Sequence, residues 1–99
     1  MKAVRIHEYG GPEVLRYEEA PEPKPGPFEL LVRVGAAGLN RADLALRQGQ
    51  YLSQARFPQT LGFEVAGEVM AIGSRVPTDG PGGFALGQHV CGTAAGGYA

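Results

Sequence analysis

The side chains able to do chemistry in this chain are few and mostly isolated. His89 and Cys91 lie two apart, so on an extended strand both face the same way. A zinc centre needs about four Cys, His or carboxylate ligands in a tetrahedral array. With only His7 left to add, this pair does not supply one, and a half-buried thiol beside a surface imidazole accounts for it. Cys91 has no charged sequence neighbour except His89 to activate it as a nucleophile. Ser53 and Ser74 lack the G-x-S-x-G setting of a hydrolase serine. Glu64 and Glu68 are spaced to share a strand face, where solvated pairs are commoner than acid–base couples. Gly80-Pro-Gly-Gly83 runs on towards an extended segment instead of a helix, so it reads as a hairpin loop and not a phosphate cradle. No catalytic side chain and no metal site emerge. What remains is Asn40 at the start of a helical stretch and Tyr51 just past its end. A helix start gathers unpaired N–H groups and partial positive charge that can hold an anion or a carbonyl oxygen. The Asn40 amide and the Tyr51 phenol could then orient a polar ligand. Plain N-capping by Asn40 and packing of the Tyr51 ring over the helix end are the alternatives that the residues leave open.

The elements that must place these groups follow from pattern and punctuation. Residues 2–7 alternate and suit an edge or hairpin strand. Gly10, Gly11 and Pro12 break the chain, and residues 14–19 resume as a second strand, which predicts a β-hairpin. Four prolines at every second position over residues 21–27 exclude a ladder strand or helix. They predict an extended surface strap, a rigid connector in preference to a ligand for an SH3-type partner. Residues 29–37 form the strongest strand signal, with Arg33 turned to solvent. Asn40 as N-cap, Asp43 three residues later and Gly49 as a left-handed stop bound the one helix, over residues 41–48. Residues 63–72 read as a second long strand, with Gly67 marking a bulge or a close backbone approach. A turn-rich loop over residues 73–83 precedes a short strand at 88–91, and Gly96, Gly97 and Tyr98 read as the entry to another strand.

Composition bounds the class. The chain has 99 residues, one domain or part of one, and nine Lys+Arg against ten Asp+Glu give a net charge of −1. That balance excludes the basic stripe of a nucleic-acid binder and the acidic disordered tail. No apolar run approaches the roughly 18 residues of a membrane span, and no apolar segment follows Lys2 and Arg5 as in a secretory signal. A single cysteine excludes an internal disulfide and fits a reducing, cytoplasmic setting. Sixteen glycines and eight prolines suit a turn-rich, mainly β domain.

Four motifs together carry a family resemblance. They are Met1-Lys-Ala-Val with Gly10-Gly-Pro-Glu-Val-Leu15, then Gly38-Leu-Asn-Arg-Ala-Asp-Leu-Ala-Leu-Arg-Gln-Gly-Gln-Tyr51, Leu61-Gly-Phe-Glu-Val-Ala-Gly-Glu-Val69 and Gly96-Gly-Tyr-Ala99. In this order they span the chain, which resembles the zinc-free, zeta-crystallin-like quinone oxidoreductase branch of the medium-chain dehydrogenase/reductase family. The resemblance implies a GroES-like, partly open β-barrel with one short helix, over residues 1–99, as an incomplete N-terminal catalytic domain. Zinc-dependent relatives carry Cys at the position of Asn40 and His at that of Phe63, so zinc is not expected here.

The resemblance also implies that Asn40 and Tyr51 line the nicotinamide site and that Arg41 and Tyr51 meet the substrate. Asp43 matches a family acid whose expected role without zinc is helix capping. The implied reaction is hydride transfer from NADPH to a quinone or conjugated enone. A dinucleotide-binding Rossmann domain would hold most of NADP(H) and is absent from this chain, which alone is expected to be inactive. Open β edges are expected to favour a homo-oligomer. Two rival readings remain, an enoyl reductase of the same superfamily and a stand-alone GroES-like assembly module without catalysis. The second would want an apolar-tipped mobile loop, which residues 73–83 do not clearly offer.

Overall fold

The computed structural model describes residues 1–51 and 56–99; Ser53 lies outside the described residues. Among the described residues six strands and one α-helix follow the order β1 (Lys2–Ile6), β2 (Arg16–Glu19), β3 (Leu30–Ala37), α1 (Arg41–Gln48), β4 (Gln59–Thr60), β5 (Glu64–Ile72) and β6 (His89–Thr93). They build two three-stranded antiparallel sheets, ordered β2-β1-β4 and β3-β5-β6. The fold is mainly β, and neither sheet closes into a barrel among the described residues.

The hairpin read from residues 2–19 is present, with Lys2 opposite Glu19 and Arg5 opposite Arg16. Two details differ. The turn carries a short 3₁₀ segment, Pro12–Val14, because proline fits the first turn of a helix, where an N–H would go unpaired. β1 is the central strand of its sheet and not an edge, because β4 pairs along its other side. That position explains why both Ala3 and Ile6 are fully buried. Glu18 ties the hairpin by accepting from Arg5 Nε at 2.9 Å and meeting His7 Nε2 at 2.5 Å. The imidazole bond, with Arg5 adding to it, holds the Glu18 carboxyl below its ordinary value.

In the second sheet Gly67 is a point of close approach. A Cβ there would run into the Arg33 carbonyl of β3. The register shifts lie on either side of this contact, at Gly35, the extra residue between Val34 and Ala36, and at Met70, which separates the partners of Leu31 and Val32. The proline-rich segment forms neither helix nor strand, in keeping with its missing donors.

Residues 95–98 depart from expectation, because they are a turn instead of the start of a strand. Gly96 at φ +78° reverses the chain, a conformation that glycine adopts freely. The Tyr98 carbonyl then accepts from Val4 N–H and its N–H donates to Leu61 O, both at 2.9 Å. This turn ties the end of the second sheet to the first. Ile6, Val14, Leu46 and Leu61 form the main core cluster, with Phe63 and Tyr98 packed against it. The hydrophobic core therefore sits between the first sheet, the 3₁₀ turn and the helix.

Candidate functional site

Helix α1 is bounded as its end residues dictate. Asn40 holds the N-cap in an extended conformation (φ −131°, ψ 150°), and Gly49 takes the left-handed C-cap (φ 78°, ψ 18°). Asp43, in the first turn, accepts the backbone N–H of Asn40 on Oδ2 at 2.9 Å, which satisfies a donor that the helix leaves open. Leu46, one turn further on, buries the same face in the core.

The start of this helix opens on a cleft. Leu15, Leu39 and Leu44 give it apolar walls, and Asn40, Arg41 and Arg47 bring an amide and two guanidinium groups. Leu39 is 88% exposed, a large apolar side chain left to solvent at the rim. Arg41 occupies the first helical position, where the macrodipole disfavours a cation. It is exposed and makes no ion pair among the described residues. Arg47 is committed to structure, with Nε donating to Gly10 O at 3.2 Å.

Beneath these groups lies an acid–phenol pair. Asp43 is 8% exposed. Its Oδ2 accepts the Tyr98 hydroxyl at 2.7 Å, and the same hydroxyl lies 3.1 Å from Gly38 O. Asp43 Oδ1 is buried without a partner. Burial pushes the Tyr98 phenol up to about 12, helped by the hydrogen bond and charge of Asp43 and by the charge of Glu64. Tyr98 thus keeps its proton at neutral pH and donates it to a carboxylate.

The sequence candidates are only partly brought together. Asn40 and Arg41 share the cleft, but Tyr51 is not among the described residues that line it. The Tyr51 ring packs on Phe63 at 5.4 Å between centroids and is 43% exposed, past the far end of the helix. Glu68 is engaged across the sheet by Arg33 Nη2 at 2.6 Å, an ion pair that the Glu64–Glu68 spacing did not indicate. Cys91 is an exposed free thiol. Among the described residues no group of three His, Cys, Asp or Glu is placed to hold a metal ion. Sequence reasoning missed the Asp43–Tyr98 bond, which joins residues 55 apart. Each had a sufficient local explanation, Asp43 as a capping acid and Tyr98 as a strand residue, so no local signal pointed to their meeting.

The fold and cleft thus define a small mainly-β domain with an amide and a guanidinium at a helix start. Residues 26–98 match the alcohol dehydrogenase GroES-like domain, and the chain belongs to that family. The quinone oxidoreductase of Lama guanicoe is 39% identical over all of this chain and 29% of its own length. A mycobacterial structure in complex with NADPH superposes with a TM-score of 0.89 and 40% identity, covering 100% of this chain and 30% of that one. The Escherichia coli quinone oxidoreductase complexed with NADPH gives a TM-score of 0.87 and 33% identity, covering 100% and 29%. The chain therefore spans less than a third of the length of the relatives it matches. No described helix is long and apolar enough to cross a membrane.

Proposed function

We propose that this chain is the N-terminal catalytic-domain portion of a cytoplasmic, zinc-free, NADPH-dependent quinone oxidoreductase. Its role is to present Asn40 and Arg41, which share the cleft at the helix start, to the carbonyl oxygen of a quinone or conjugated enone. The observation that carries this reading is the match of the whole chain to quinone oxidoreductases and to structures solved with NADPH. Arg41, at the helix start and without an ion pair among the described residues, supports it, since a guanidinium there suits oxygen that gains negative charge in the reaction.

The donor set fits one end of the cofactor better than the whole of it. The chain holds no strand–glycine loop–helix unit of the kind that cradles a dinucleotide diphosphate. When bound, the nicotinamide supplies the hydride, and a proton from solvent completes reduction of the quinone to its hydroquinone. The residues of this chain orient the acceptor and polarise its oxygen, and none forms a covalent bond to it. Zinc has no part in this reading, because Asn40 is a poor zinc ligand and Phe63, packed against the core cluster, has no ligating atom.

The test is a pair of fluorescence titrations of the 99-residue chain, one with NADPH and one with duroquinone. Duroquinone is substituted at every ring carbon, which protects it from addition of the Cys91 thiol. Saturable duroquinone binding that weakens several-fold in Asn40→Ala and Arg41→Ala is expected, with weak NADPH binding and no NADPH consumption. Absence of saturable duroquinone binding, or equal affinity in both variants, would overturn the placement of the acceptor.

A further inference from the structure

The helix start is held by a relay that begins outside the helix. Tyr98 is fixed first, because its backbone bonds to Val4 and Leu61 and its ring packs on the main core cluster. Gly62 leaves room for it, since a Cβ at that position would lie 2.7 Å from the Tyr98 nitrogen. From this anchored base the hydroxyl reaches Asp43 Oδ2 at 2.7 Å, and the same oxygen takes the Asn40 N–H at 2.9 Å. Asp43 is nearly fully buried, and its other oxygen finds no partner, so its charge rests on these two donors alone. The Tyr98 hydroxyl is also 3.1 Å from Gly38 O, on the other side of Leu39 and Asn40. One hydroxyl therefore stands against both flanks of the segment that carries the candidate ligand groups.

We infer that Tyr98 is a positioning residue of the cleft, acting through Asp43 to fix the start of helix α1 and with it the amide of Asn40 and the guanidinium of Arg41. The inference rests on the reading that Asn40 and Arg41 meet the acceptor. Tyr98 itself touches no reacting atom in this scheme, since its single proton is given to Asp43. Losing that donor leaves Asp43 with one partner, and the bond to Asn40 then competes with the carboxylate's demand for water. The helix start should loosen while the distal turn at Leu46, buried in the core, stays put.

The experiment compares wild type with Tyr98→Phe, which keeps the ring and removes the hydroxyl. Amide hydrogen exchange is read by NMR at Asn40, Arg41 and Leu46, and duroquinone affinity is read on the same samples. Exchange at Asn40 should rise roughly tenfold relative to Leu46, the size that loss of one charge-assisted hydrogen bond allows. Duroquinone affinity should fall with it. Asp43→Asn is the second variant, and in it the Tyr98 phenol should titrate below about 12, which reports the bond in solution. Exchange that is unchanged at Asn40, or faster everywhere alike, would overturn the inference and leave Tyr98 a packing residue. Faster exchange with unaltered duroquinone affinity would overturn it too, since the helix start would then matter only to the fold. If wild type binds no duroquinone, the proposed function falls, and the exchange result still decides whether Tyr98 fixes the helix start.

Discussion

The Tyr98 phenol is tucked against the core and hydrogen-bonded to the Asp43 carboxylate, and that setting gives the molecule an alkaline weakness. The Tyr98 phenol is raised from its ordinary 10.0 to about 12, chiefly by burial and then by Asp43. Between those values the unfolded chain has released its proton and the folded chain has not, so stability falls as pH rises. The contribution is complete below pH 10 and is lost progressively as pH rises from 10 through about 12. Urea unfolding should show wild type losing more stability across this window than Tyr98→Phe, which has no phenol to titrate there. Equal pH slopes in the two proteins would mean that the phenol is solvated and the bond to Asp43 is not held in solution. On the acid side Glu18 behaves in the opposite sense. Its carboxyl is held low by His7 and Arg5, so that contribution is present above its ordinary value and fades as pH falls.

Helix α1 shows what a sequence declares about an element and what it withholds. Its bounds were legible because every signal is local. Asn40 precedes it, Asp43 sits in its first turn, and Gly49 ends it in the left-handed region. Substituting Gly49 with Ala should cost about 1–2 kcal/mol, since a Cβ is disfavoured in that conformation. Here the Cβ would also lie 3.0 Å from the Tyr9 ring. Gly49→Asn should cost less, because asparagine tolerates the left-handed region better. Urea midpoints in the order wild type, Asn, Ala are expected, and an Ala variant as stable as wild type would show that the cap relaxes. β4 had no such declaration. Gln59–Thr60 is two polar residues, and only their pairing with Arg5 and Ile6 makes them a strand. Gly96, Gly97 and Tyr98 were misread for the related reason that their hydrogen bonds run to Val4, Leu61 and Gly62, far away in sequence. The candidate site divides along the same line. Asn40 could be read from helix-start chemistry and Arg41 only through the family resemblance, whereas the Asp43–Tyr98 bond depends on how two sheets meet.

At the scale of the whole molecule the two sheets leave much apolar surface uncovered. The radius of gyration is 14.6 Å with extents of 46 × 25 × 22 Å, longer than the roughly 13 Å of a compact 100-residue domain. Only six of the described apolar residues are buried, among them Val69 alone from the second sheet. Val32, Val34, Val65 and Val90 of that sheet are partly exposed. Its β6 edge is also poorly guarded. β2, the outer strand of the first sheet, carries Arg16, Glu18 and Glu19, which discourage pairing with another chain. β6 reads His-Val-Cys-Gly-Thr and offers no carboxylate, lysine or proline. From the open edge and the half-covered valines, association of the 99-residue chain through β6 is the expected outcome. Sedimentation velocity should show a mass that rises with concentration. Val90→Lys, which sets a charge on that edge and face, should return the chain towards monomer. A wild type that stays monomeric at every concentration would show that the edge is protected in solution. Association that persists unchanged in Val90→Lys would move the contact to another surface, with the exposed Tyr17 of β2 the next place to set a charge.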